Sequence, residues 1–345
     1  AFSTALCCVD EASPGRELVC LKVVKNNKEY LDQSLDEIKL LRYVNACGPA
    51  DEFGVLRLRT YFYHKEHLFI VTELLADNLY EHAHFNRRHE AEPYFTLPRL
   101  RRVAWQILRA LAYVHDLGLI HCDLKPENVL LRSYSRAEVK LIDFGSSCFL
   151  TDHLTPYIQS RSYRAPEVVL GLPYGHKIDL WSLGCILAEL WTGRVLLQND
   201  SVQTMLARTA GILGPVPPRL LLEGAEVHKF FTAGFTLFEH VEDSDELFLV
   251  MPKRTTLARR LRSPDPLFAD FVAFLLQWDP KLRPTAKQAL HHPWLAPEME
   301  AFLAASADGR AVGASVPGVG PAPEAEPSVW TPAKERAGAS AGAGE

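Results

Sequence analysis

Short apolar runs and helical periods are interleaved along the chain up to Leu295, and the pattern then stops. Val19-Cys20-Leu21-Lys22-Val23-Val24 reads as a strand with one lysine inside it. A lysine in an apolar strand needs a partner or a wet edge. Leu56 to Tyr63 and His67 to Glu73 read as two further strands joined at Lys65-Glu66. Ser34 to Leu41 has a helical period, with Leu35, Ile38 and Leu41 on one face. Another helix is expected to start at Asn78-Leu79-Tyr80. Leu97 to His115 has the strongest helical period, carried by Leu100, Val103, Ile107, Leu108, Leu111 and Val114, and reads as a packing helix without chemistry. Leu119-Ile120 and Val139 to Ile142 read as short buried strands. From Ala296 the composition turns to Ala, Gly, Pro and Glu without apolar periodicity. Such a segment buries too little surface to offset its ordering entropy, so 296–345 is expected to be disordered.

Between two of the apolar runs lies His121-Cys122-Asp123-Leu124-Lys125-Pro126-Glu127-Asn128, with Asp143-Phe144-Gly145 fifteen residues after Asn128. Phosphoryl transfer needs a carboxylate to orient the attacking hydroxyl, oxygen ligands for Mg²⁺ and a cation on the transferred group. Asp123 is the candidate base, Lys125 the candidate cation, and Asn128 and Asp143 the candidate metal ligands, since Mg²⁺ prefers oxygen. Five fixed letters at this spacing arise by chance with odds on the order of 10⁻⁴ in a chain of this length.

The length of 345 residues fits two lobes or one large domain, and 48% apolar residues supply a core. The net charge is −5, without a basic footprint for nucleic acid. Residues 296–345 hold seven acids and three bases, a net −4, so the remainder is near −1 and the acidity belongs to the tail. The seven cysteines lack a Cys-x-x-Cys pair, which points to reduced thiols and a cytoplasmic or nuclear protein. Cys7 and Cys8 would point to opposite faces of a strand, which argues against a metal there. No run of eighteen apolar residues exists, so no membrane span is expected.

The pattern His-x-Asp-x-x-x-x-Asn followed by Asp-Phe-Gly resembles the catalytic and metal loops of eukaryotic protein kinases. Ala165-Pro166-Glu167 is similar to the end of their activation segment, and Asp179-Leu180-Trp181-Ser182-Leu183-Gly184 to their buried helix, in which Asp179 would hold the catalytic-loop backbone. Arg283 resembles the arginine that pairs with Glu167, and Lys22 and Glu37 resemble the phosphate-binding lysine and its helical ion-pair partner. Phe2, Ser3 and Ala5 resemble the end of a glycine-rich loop whose first two glycines would lie upstream of Ala1.

Cys122 in place of arginine, Ser146-Ser147-Cys148, Tyr157-Ile158-Gln159-Ser160-Arg161 and Ser162 to Glu167 narrow the likeness to the DYRK family of the CMGC group. Asn26 to Lys39 and Thr151 to Leu154 look closest to its plant and algal members.

The resemblance implies an α+β bilobal fold: a small antiparallel sheet plus one helix, then a larger helical lobe. It implies a catalytic domain over 1–295, with an N-lobe at 1–73, a hinge at 73–78, a C-lobe at 79–295 and an insert near 211–262. ATP and Mg²⁺ are the implied ligands. Lys22, held by Glu37, would orient phosphates; Ala5, Cys20, Thr72, Glu73, Leu75 and Leu130 would surround the adenine, with Asn128 and Asp143 below. Leu41, Leu58, His121 and Phe144 would form an apolar stack. The implied substrates are proteins with Ser or Thr followed by Pro, with arginine upstream facing Glu127. The resemblance implies autophosphorylation on Tyr157, and because the uncharged Cys122 cannot receive that phosphate, Arg161 and Arg164 are expected to receive it.

Two alternatives stay open at this stage. A small-molecule kinase shares the catalytic loop but lacks the Ala-Pro-Glu segment and the Asp-x-Trp-Ser helix. A catalytically impaired scaffold would keep the fold with an incomplete glycine-rich loop.

Overall fold

The computed structural model describes residues 3–307 apart from 90–91, 153–154, 156, 199 and 241–246. Phe2, His153 and Leu154 therefore lie outside the described residues, as does 308–345.

The N-lobe is built from β1 (Ser3–Val9), β2 (Leu18–Val24), α1 (Lys28–Cys47), the single turn α2 (Ala50–Phe53), β3 (Leu58–His64) and β4 (His67–Glu73). The strands form an antiparallel sheet of order β1-β2-β4-β3. The tight β3–β4 connection falls on Lys65 and Glu66, both at positive φ, as a two-residue hairpin requires. Helix α1 starts earlier than its apolar period suggests, because the Asn27 side chain accepts the Glu29 N–H and caps it. Register then sorts the side chains. Ala5 faces Lys22, Cys20 faces Thr72 and Lys22 faces Ile70. Direct partners and i,i+2 neighbours share a sheet face, so Ala5, Cys20, Lys22 and Thr72 line one side. A small core of Val24, Ile38, Leu68 and Ile70 joins this face to α1.

The C-lobe begins with α3 (Leu79–His89), α4 (Leu97–Asp116), β5 (Leu119–Ile120), β6 (Val129–Ser133), β7 (Glu138–Leu141), β8 (Cys148–Phe149), α5 (Pro166–Val169) and α6 (Lys177–Thr192). Helix α6 is apolar on nearly every side, and its residues from Ile178 to Leu190 are all buried. A helix apolar all round belongs inside a lobe. The two-stranded ribbons β5–β8 and β6–β7 carry the loops between them to the cleft.

The chain continues through α7 (Val202–Leu213), α8 (Pro218–Glu223), β9 (Phe238–His240), β10 (Leu247–Leu249), α9 (Leu257–Leu261), α10 (Pro266–Leu275), α11 (Ala286–Leu290) and α12 (Ala296–Ala307). Helix α12 corrects one expectation. Residues 296–307 are helical rather than part of a disordered tail. Met299 and Phe302 pack on the core, and the Arg109 guanidinium lies 4.4 Å from the Phe302 ring centre. Tertiary burial against α4 supplies the surface that the local composition lacks. No helix among the described residues is long and apolar enough to cross a membrane.

Candidate active site

The loop between β5 and β6 is held from behind. Asp179, fully buried on α6, accepts the backbone N–H of His121 at 2.9 Å and of Cys122 at 3.1 Å. His115 Nε2 lies 2.9 Å from the same carboxylate. Burial opposes the charge on Asp179, but these bonds, led by His115, hold its carboxyl below the ordinary value. Helix α4 therefore does more than pack: its final turn supports the catalytic loop. Cys122 sits at φ 66, a left-handed conformation that costs a β-carbon residue about 1–3 kcal/mol. The bonds to Asp179 over-determine that strain. The Cys122 thiol lies 3.5 Å from the Cys148 thiol, and all seven cysteines are free.

On the cleft side, the Asp123 carboxylate is bonded through both oxygens. Oδ2 accepts Lys125 Nζ at 2.5 Å, and Oδ1 accepts the Ser160 hydroxyl at 2.8 Å and its N–H at 3.2 Å. Ser160 lies thirty-seven residues downstream and had no flag in the sequence beyond its place in the DYRK-like run. Asp123 and Ser160 open onto a cleft of about 360 Å³ that also reaches Ser146, Thr155, Tyr157 and Gln159.

Lys22 Nζ donates to Glu37 Oε2 at 2.6 Å across the N-lobe. Burial raises the Glu37 pKa, Lys22 lowers it, and the nearby Asp143 carboxylate raises it again. Asp143 itself holds φ 62. Of the expected stack, Leu41 and Phe144 are buried in the main core, Leu58 packs against that core, and the His121 ring meets Phe144 edge-on at 5.4 Å. The remaining His121 bonds fix its ring, with Nε2 donating to the Ile142 carbonyl at 3.0 Å and Nδ1 left to accept the Asp123 N–H at 3.4 Å.

Asn128 and Asp143 fit a hard divalent cation. Asn128 Nδ2 donates to the Asp123 carbonyl at 2.8 Å, which orients the amide and leaves its oxygen for a metal. A Cβ at Gly145 would stand 3.2 Å from Asp143 Oδ1, so the glycine keeps that cradle open. Two protein oxygens suit Mg²⁺, which completes its shell with water and phosphate.

The residues expected around an adenine fall in two groups. Ala5, Cys20 and Thr72 form the roof, and an isolated bridge from Asn78 to Leu130 sets Leu130 beneath the hinge. Glu73 and Leu75 carry the hinge backbone. The Glu73 side chain has a separate duty. Its Oε1 accepts Lys140 Nζ at 2.5 Å and the Arg57 N–H at 2.7 Å, and Lys140 also donates to Asp51 at 2.6 Å. Lys140 is 2% exposed. A lysine inside an apolar strand marked Lys22, and the same signal in Val139 to Ile142 marks this one.

The activation segment is anchored by Gln159 and Arg164. Gln159 is at φ 62, and its amide bonds Ser182 Oγ at 2.8 Å and the Ala165 N–H at 2.9 Å. Arg164 donates to the Ile158 carbonyl and the Gln159 carbonyl, each at 2.8 Å. Tyr157 is 76% exposed, with the Arg164 guanidinium 4.5 Å from its ring centre. Arg164, then Arg161, hold the phenol pKa below its ordinary value. Below the segment, Arg283 grips Glu167 through two bonds of 2.6 and 2.9 Å.

The protein kinase domain family matches residues 1–295, and the chain belongs to that family. Within it the chain falls among the DYRK kinases. The serine/threonine-protein kinase ppk5 of Schizosaccharomyces pombe is 39% identical over 297 residues, which are 86% of this chain and 34% of that protein. The dual specificity tyrosine-phosphorylation-regulated kinase 3 of Mus musculus is 37% identical over 296 residues, 81% of this chain and 50% of that protein. The chain thus spans a third to a half of these relatives' length. The crystal structure of the PF14_0431 kinase domain superposes with a TM-score of 0.76 at 28% identity, covering 86% of this chain and 92% of that one. Closeness to plant and algal members rests on the sequence resemblance alone.

Proposed function

We propose that this chain transfers the γ-phosphoryl group of ATP to Ser and Thr hydroxyls of protein substrates, and to its own Tyr157. The observations that carry the reading are two sets of contacts: Asp123 holds Lys125 and Ser160, and Asp143 lies close enough to the Lys22–Glu37 pair to raise the Glu37 pKa. Bound Mg·ATP supplies the phosphoryl group and neutralises charge on its own phosphate oxygens. Lys22, oriented by Glu37, presents its cation to the α- and β-phosphates. Asp123 orients the incoming hydroxyl and accepts its proton. Lys125, already on Asp123, offsets charge on the group in flight.

Two features support the finer specificity. The Gln159 carbonyl already accepts Arg164, which disfavours its use by a substrate N–H following the target residue. Proline has no N–H and loses nothing there. Glu127 Oε2 is buried without a partner among the described residues, and burial followed by Glu127 raises the Glu189 pKa nearby. An upstream substrate arginine would relieve both. Arg161 and Arg164, which already favour a negative phenol oxygen, match phosphate bidentately. Seven free thiols fit a cytoplasmic or nuclear setting.

The test is radiolabel transfer from ATP to Ser-Pro and Thr-Pro peptides, with mass spectrometry of Tyr157. Asp123→Asn should lower kcat by roughly 10²–10⁴ without loss of ATP binding, and should leave Tyr157 unmodified. Near wild-type transfer by Asp123→Asn would sink the assignment.

A further inference from the structure

An exposed apolar surface of the C-lobe lies at β10. Leu247, Phe248 and Leu249 are all exposed, Phe248 by 62%, and Met251 just beyond by 72%. Strand β10 pairs with β9 on one edge in a two-stranded ribbon, and its other edge has no strand partner among the described residues. Beside it, α7 and the segment 250–255 enclose a groove of about 400 Å³. Ile212 and Val250 form part of its floor.

The groove is a built feature. A Cβ at Gly211 would run into the Lys253 carbonyl, and Thr255 N–H donates to the Gly211 carbonyl at 2.8 Å. The glycine lets segment 250–255 lie directly on α7. Its rim is of one sign: Arg208, Lys253, Arg254 and Arg260 line it, and no carboxylate does among the described residues. Arg208 pairs with exposed Asp200 at 3.7 Å, while Lys253, Arg254 and Arg260 have no ion pair among the described residues. Four cations on one groove make it locally positive. Large exposed apolar patches with polar rims mark interaction sites.

We infer that β10 and the α7 groove form a docking site for an extended protein segment that alternates apolar and acidic residues. The segment would add to the open β10 edge through its backbone. Its apolar side chains would cover Phe248 and enter the groove, and its carboxylates would meet Lys253, Arg254 and Arg260. Nucleic acid would satisfy the cations but leave the aliphatic surface unmatched. The site acts through binding and is independent of phosphoryl transfer.

Fluorescence anisotropy of short fluorescein-labelled peptides tests this. One peptide alternates Leu or Phe with Glu or Asp; a second keeps the acids but replaces the apolar residues by Ser. The first should bind, more weakly as salt rises, and the second should bind at least about tenfold less tightly. A Lys253→Glu/Arg254→Glu variant and, separately, Phe248→Ser should each lower affinity for the first peptide by at least about tenfold. ATP-induced thermal stabilisation, unchanged in both variants, shows that the fold is intact. Equal binding of the two peptides, equal competition by single-stranded DNA, or full affinity in the charge-reversed variant would each overturn the inference.

Discussion

Two ion pairs divide the labour of this molecule. Lys22–Glu37 joins β2 to α1 through one contact of 2.6 Å, with side chains 30% and 12% exposed. Glu167–Arg283 joins the end of the activation segment to the C-lobe base through two contacts, with side chains 1% and 0% exposed. Arg283 also donates to the Lys177 and Gln277 carbonyls and lies over the Trp181 ring. The dry pair has every Arg283 N–H engaged and each Glu167 oxygen accepting one of them, so loss of one member strands a charge in the interior. The cleft pair is single-contact, reached by water on one side and set beside the Asp143 carboxylate. It can open without disturbing a core. One pair holds the platform, and the other tunes the chemistry on it.

The comparison can be broken at its strongest point first. Arg283→Met should destabilise the chain by about 3–5 kcal/mol in urea unfolding, and the added change Glu167→Leu should recover most of that. A loss under about 1 kcal/mol would make the two pairs equivalent. Next, Glu37→Gln should lower kcat/KM by roughly 10²-fold while the urea midpoint stays near wild type. Lys22→Met with Glu37→Gln should be no worse than the worse single variant, because the two act as one unit. Strictly additive losses would separate them.

The smallest effect is on pH dependence. The folded pKa of Glu37 is raised above 4.5, so as pH falls through it the carboxylate protonates and Lys22 loses its partner. The acid limb of kcat/KM for ATP should therefore lie above 4.5, and Glu37→Gln should lack that limb. The same shift means the folded state binds this proton more tightly, so stability at Glu37 gains as activity falls. Asp179 has the opposite sign. Its pKa is lowered from 3.8, so its stabilisation is complete above the ordinary carboxylate range and is lost only as pH falls further, through the folded value. A wild-type acid limb at or below 4.5 would contradict the Glu37 assignment.

Much of the site was legible because its chemistry is local. His121 to Asn128 places a candidate base, a cation and a candidate metal ligand on one loop, and Glu37 is found by its resemblance to the helical ion-pair partner of Lys22. A lone lysine in an apolar strand identified Lys22, and the same rule would have found Lys140 had its partners been sought. Other features depend on residues far apart in the chain. Ser160 reaches Asp123, His115 reaches Asp179 and Lys140 joins Glu73 to Asp51 only once the lobes have folded. Helix α12 was misread for a related reason. Its own composition offers little to bury, and its stability comes from Met299 and Phe302 meeting the core beside Arg109. Periodicity and motif spacing are properties of neighbours along the chain, so the sequence alone determined the elements and the reacting groups. Packing and desolvation are properties of neighbours in space, so tertiary structure alone decided which carboxylates are held, which pair stays wet, and where the last helix ends its contact with the core.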